Sequence, residues 1–78
     1  MKEKINVAVI GLGNRGSGML GTICMMDDVN VIGVCDVYED RVQKGIDRVK
    51  KEKGNTPFGS TNYRDIFELE GLDSVYIA

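Results

Sequence analysis

An α/β fold built on a parallel sheet is predicted for this 78-residue chain by three features of its sequence. Apolar runs rich in β-branched residues alternate with segments of helical periodicity, the pattern of strand–helix–strand units. The first run, Ile5 to Ile10, passes directly into Gly11-Leu12-Gly13-Asn14-Arg15-Gly16, a glycine loop that opens a helix. An acid, Asp36, closes the second run, 20 residues after Gly16. Together these specify a Rossmann-type doubly wound parallel sheet. The chain accounts for part of one, with about four strands in the order 3-2-1-4 and three helices.

The elements follow in sequence. Ile5-Asn6-Val7-Ala8-Val9-Ile10 is almost unbroken in apolar residues, as suits a strand covered on both faces. A helix is predicted from Arg15 to Met26, with Met19, Leu20, Ile23 and Cys24 on its inner side and Asp27-Asp28 ending it. Gly18 and Gly21 each cost roughly 1 kcal/mol against Ala inside a helix; close packing on the strands is expected to explain them. Met19, Met25 and Met26 are expected to fill core space.

Val29 to Cys35 is the second buried strand. Glu39 to Lys53 is the second helix, with Val42, Ile46 and Val49 on one face. Its acids lie at the start and Lys50, Lys51 and Lys53 at the end, complementing the helix dipole. The lysine run is read as a solvated helix end, and Gly54-Asn55 as the stop. A short strand from Pro57 to Ser60 precedes a short helix from Tyr63 to Leu69, whose Ile66 and Leu69 face inward. Gly71 breaks that helix, and Asp73 to Ala78 forms the last strand.

Composition narrows the function. A formal charge of −2 gives no basic surface for nucleic acid, and the first apolar run is too short for a signal segment or a membrane span. No histidine is present to act as acid, base or ligand. Cys24 and Cys35 lack the partners of a metal site, so no metal is expected; both are read as buried, reduced cysteines in a cytoplasmic protein. Residues 1–78 are about half an ordinary domain and are read as the N-terminal part of a dinucleotide-binding domain, with the catalytic and substrate domain outside the chain. Were the chain complete, the uncovered last strand would drive self-association, so a homo-oligomer is expected.

The chemistry lies in the glycine loop. Gly11 lets the chain turn sharply out of the strand, Gly13 brings bare backbone close to a pyrophosphate, and Gly16 lets the helix pack tightly. Amides at the helix start favour the phosphate charge. Asp36 is placed to accept two hydrogen bonds from a ribose diol; a helix cap is its alternative role. A 2′-phosphate about 5 Å from Asp36 meets repulsion of about 3 kcal/mol per unit charge at an effective dielectric near 20. Val37 and Tyr38 bring no compensating cation, so NAD is expected over NADP, with Arg15 and Arg41 as the residues able to soften that preference. Arg15 is read either as a pyrophosphate or adenine contact or as a solvent-facing side chain.

The segment Ile5 to Gly16 resembles the opening of the Gfo/Idh/MocA family of oxidoreductases. Val34-Cys35-Asp36, Tyr63-Arg64-Asp65 and Leu72 to Ala78 extend the resemblance over nearly the whole chain. It implies cofactor contacts at Gly11, Leu12, Gly13, Asn14, Arg15, Gly16 and Asp36. It further implies a second, C-terminal domain and hydride exchange with a secondary alcohol of a sugar or cyclitol, a small-molecule partner. The family's catalytic lysine motif lies beyond the fourth strand, so no catalytic residue is assigned within the chain. An NAD-dependent glycoside hydrolase is the alternative, since such enzymes resemble the same family and oxidise the sugar transiently. A non-catalytic nucleotide-binding module is the reading if the chain is complete. FAD- and SAM-binding proteins also use glycine loops, but fit the acid position or the extended resemblance less well.

Overall fold

A computed structural model describes residues 4–78, and within them the side chains of Asn14 and Arg15 lie outside the described set. The elements alternate as expected: β1 (Ile5–Ile10), α1 (Asn14–Cys24), β2 (Val29–Cys35), α2 (Glu39–Lys53), β3 (Phe58–Ser60), α3 (Tyr63–Phe67) and β4 (Ser74–Ile77). The four strands form one sheet in the order β3-β2-β1-β4, every pairing parallel.

β1 is central because it is apolar on both faces. Val7 and Val9 join Leu20, Ile23, Val34, Val42 and Val49 under α1 and α2, while Ala8 packs with Cys35 and Ile66 on the side of α3. Successive side chains of a strand point to opposite faces, so a near-continuous apolar run is what a two-sided core requires. The register places Ile10 beside Cys35 and Ile77, aligning the strand ends where a cleft opens.

α2 runs over the expected residues and stops at Gly54, whose φ of 86° is left-handed and whose amide donates to the Lys50 carbonyl. Cys24 and Cys35 are both buried and free, and burial raises both thiol pKa values. No helix among the described residues is long and apolar enough to cross a membrane, and no cluster of potential metal ligands occurs among them.

Three expectations for α1 are corrected. The helix ends at Cys24, two residues early, because Met25 and Met26 donate to Thr22 and Ile23 in a tightened last turn. Met25 is 80% exposed and Met26 41% exposed, so neither fills the core; Met19 alone of the three packs against it. Strand packing also fails to explain the two interior glycines. Gly18 is exposed and faces no described atom within 4 Å, and a Cβ at Gly21 would meet the Arg48 guanidinium of α2. α3 likewise stops at Phe67 instead of Leu69, though Ile66 is fully buried and Leu69 packs beside it.

Candidate functional site: a glycine loop clasped by Asp36

The carboxyl ends of β1 and β2 set the site. Gly11 leaves β1 at φ 93°, a conformation other residues rarely adopt, and its amide donates to the Cys35 carbonyl at 2.8 Å. The chain thereby turns upward while tied to β2. α1 begins three residues later, with Gly13 as its N-cap. A Cβ at Gly16 would run into the Gly11 carbonyl oxygen, so glycine at 16 is what lets the first turn of α1 lie on the loop. That assigns the third glycine's packing partner as the loop itself and, at 3.3 Å, Ala78 at the end of β4.

Gly13 is different. Its φ of −70° and ψ of −161° are open to any residue, and a Cβ would have only the tip of Arg41 near it among the described residues, at 3.4 Å. Packing among the described residues therefore does not call for glycine there, though glycine is a favoured N-cap. The first turn of α1 contains no acid, and its N-cap makes no side-chain hydrogen bond. Its leading amides keep their affinity for an anion.

Asp36 stands over this loop. Its Oδ2 accepts from the Leu12 amide at 2.6 Å and its Oδ1 accepts from the Tyr38 amide at 2.9 Å. The carboxylate so joins the glycine loop to the start of α2. Burial raises its pKa, but the Leu12 and Tyr38 amides, the Arg41 charge and the Val37 amide outweigh burial and hold it below the ordinary carboxylate value. Each oxygen retains further acceptor capacity, and Asp36 lines a cleft of about 620 Å³ with Gly11, Gly13 and Gly16. The alternative role as helix cap takes a modified form. Asp36 bonds two residues ahead, to Tyr38, which is itself the N-cap of α2 and has no side-chain cap.

Of the expected contact residues, Gly11, Gly13, Gly16 and Asp36 share the cleft. Leu12 contributes its amide to Asp36 while its side chain is buried in the core. Asn14 and Arg15 have their backbone in the first turn of α1, and the contacts expected of their side chains lie outside the described residues.

Part of the wall comes from residues to which the sequence assigns no ligand contact. Thr61 and Asn62, between β3 and α3, and Tyr63, which opens α3, line the same cleft. Asn62 caps α3 by accepting from the Arg64 amide at 3.0 Å, and Ser60 donates to Asp65 at 2.7 Å. The spacing Ser60, Asn62, Asp65 was the available signal, a cap followed by an acid in the first turn. Arg41 was a distant reserve in sequence but lies 3.9 Å from Asp36, its guanidinium 4.8 Å from the centre of the Tyr38 ring.

No family model matches the chain. It is 41% identical over 56 residues to glycosyl hydrolase family 109 protein 2 of Akkermansia muciniphila, covering 72% of this chain and 12% of that protein. It is 36% identical over 79 residues to family 109 protein 1 of the same organism, covering 96% and 16%. Among solved structures, myo-inositol 2-dehydrogenase from Lactobacillus plantarum superposes with a TM-score of 0.78 at 23% identity, over 97% of this chain and 21% of that one. The chain thus spans less than a fifth of the length of these two curated relatives. In its motifs, its sequence relatives and its fold, the chain is similar to the N-terminal Rossmann-like region of Gfo/Idh/MocA-type proteins.

Proposed function

We propose that this chain forms the NAD-holding part of an oxidoreductase that exchanges hydride with a sugar, cyclitol or similar secondary alcohol. The observation that carries the reading is Gly13. Its backbone is ordinary and its surroundings have room for a methyl group among the described residues, so packing there does not require the missing Cβ, which a ligand at the loop would use. A pyrophosphate laid against the start of α1 is such a group, and the cleft beside it is bordered by an ionised acid suited to a ribose. Gly11, Leu12, Gly13, Asn14, Arg15 and Gly16 are the proposed loop contacts, and Asp36 the ribose contact. When bound, NAD supplies the hydride acceptor. The chain's own residues bind and orient, and the groups that move a proton are proposed to belong to a further domain.

The test is Gly13→Ala in the intact protein. We predict a melting temperature lowered by no more than about 5 °C and NAD affinity lowered at least about tenfold, read by calorimetric titration. Undiminished NAD affinity would remove the basis of the proposal.

A second reading is favoured by a specific finding. The relatives at 41% and 36% identity are both named glycosyl hydrolases of family 109. The same cradle would serve a glycosidase in which oxidation of the sugar is reversed within one turnover. Release of the phenol from an aryl glycoside, dependent on NAD but without net NADH, would establish that reading; steady NADH formation from the free alcohol would establish the first.

Self-association belongs to the proposal as well. It is proposed for residues 1–78 acting on their own, where β4 is an edge strand with Ile77 68% exposed; a monomer in sedimentation at micromolar concentration would exclude it. Two buried, free thiols suit a reducing, cytoplasmic setting, to be checked by fractionation.

A further inference from the structure

Behind the glycine loop, between α1 and α2, lies a second cavity of about 390 Å³ that the dinucleotide reading does not use. Its floor is apolar, formed by the buried Leu12 and Leu20. Its wall on α2 is made by Arg41, Lys44 and Arg48, at positions i, i+3 and i+7 on one helical face. Ser17 lines it from α1. From the geometry of this cavity we infer a phosphate site, taking a phosphomonoester dianion held by Arg41, Lys44 and Arg48.

Three observations support it. The chain as a whole carries a formal charge of −2, so three cations in one groove are a local arrangement and not a consequence of a basic composition. Among the described residues Lys44 and Arg48 form no ion pair, and Arg41 has only Asp36 at 3.9 Å, beyond hydrogen-bond length. Finally, Arg48 lies down in the groove. A Cβ at Gly21 would sit 2.5 Å from Arg48 Nη2, which places the tip of the guanidinium against α1.

The chemistry favours phosphate over a single-charged carboxylate. Three donors on one helical face match three phosphate oxygens, and guanidinium groups bind phosphate in fork geometry. Two sources share that chemistry. Gly13 and Arg41 border both this cavity and the dinucleotide cleft, so the 2′-phosphate of NADP has a route in from the ribose side. Free phosphate enters from solvent. Occupancy by NADP rests on the proposed dinucleotide binding; occupancy by free phosphate does not.

The experiment compares the intact protein with Lys44→Gln/Arg48→Gln. Both side chains are exposed and lie outside the glycine loop. Inorganic phosphate, NAD and NADP are titrated by calorimetry at low salt, with melting curves to confirm folding. The expected result is salt-sensitive phosphate binding that weakens at least tenfold in the double variant, with NAD affinity within twofold of the parent. If NADP is the source, phosphate competes with NADP but not with NAD, and NADP alone weakens in the variant. If free phosphate is the source, phosphate and NADP bind together. Phosphate binding that is absent, or equal in parent and variant, overturns the site. Phosphate binding without NAD binding would overturn the dinucleotide reading and leave this one standing.

Discussion

Asp36 joins two amides that would otherwise have no common partner, those of Leu12 in the glycine loop and Tyr38 ahead of α2. The same carboxylate is therefore structural before it is a ligand. Its pKa is depressed in the folded chain, so its ionised form stabilises the fold. That contribution is complete above the unfolded carboxylate value of about 4 and is lost as pH falls through the lower, folded value. Asp36→Asn is accordingly predicted to lower stability most near neutrality, with the gap to the parent closing below about pH 4. Urea unfolding across pH checks this, and a gap constant down to acid pH would show that charge is not what holds the loop. The three loop glycines separate by the same reasoning. Gly16→Ala forces a methyl group into the Gly11 carbonyl and should cost about 2 kcal/mol or more in unfolding free energy, whereas Gly13→Ala should cost less than about 1 kcal/mol, the loss of a glycine N-cap. Equal destabilisation by the two would contradict the assignment of Gly13 to a ligand.

At the scale of elements, the sequence was most legible where one pattern decided the outcome. β1, β2 and α2 begin and end where apolar runs, Asp36 and Gly54 place them. α1 was legible only at its start. Its end depends on a turn closed by Met25 and Met26 and on a contact from another element. Lys53, expected to be part of a solvated helix end, donates to the Met26 carbonyl at 2.7 Å and to that of Cys24 at 3.4 Å. A cation so covers the carbonyls that α1 leaves unpaired, across 27 residues of sequence that no local pattern reports. Lys53→Met is predicted to destabilise the chain by about 1 kcal/mol, less at high salt, as read by chemical unfolding. A loss independent of salt would indicate packing instead. The segment from Thr61 to the start of α3 was not legible for a similar reason: its place on the cleft wall follows from the pairing of β3 beside β2, not from its own residues.

On the whole-molecule scale, the sheet order β3-β2-β1-β4 brings the ends of β1 and β2 side by side, and that adjacency makes a glycine loop and a distant acid into one site. The strand order was legible because alternating strands and helices leave few connections open. The substrate was not, because nothing within residues 1–78 assigns a reacting group to it. The measurement that bears most directly on the account is titration of the intact protein with NAD and with NADP, before and after Asp36→Ala. NAD is expected to bind at least about tenfold tighter than NADP in the parent, with a narrowed difference in the variant as NAD weakens. Equal affinities in the parent, or no binding of NAD at all, would contradict it.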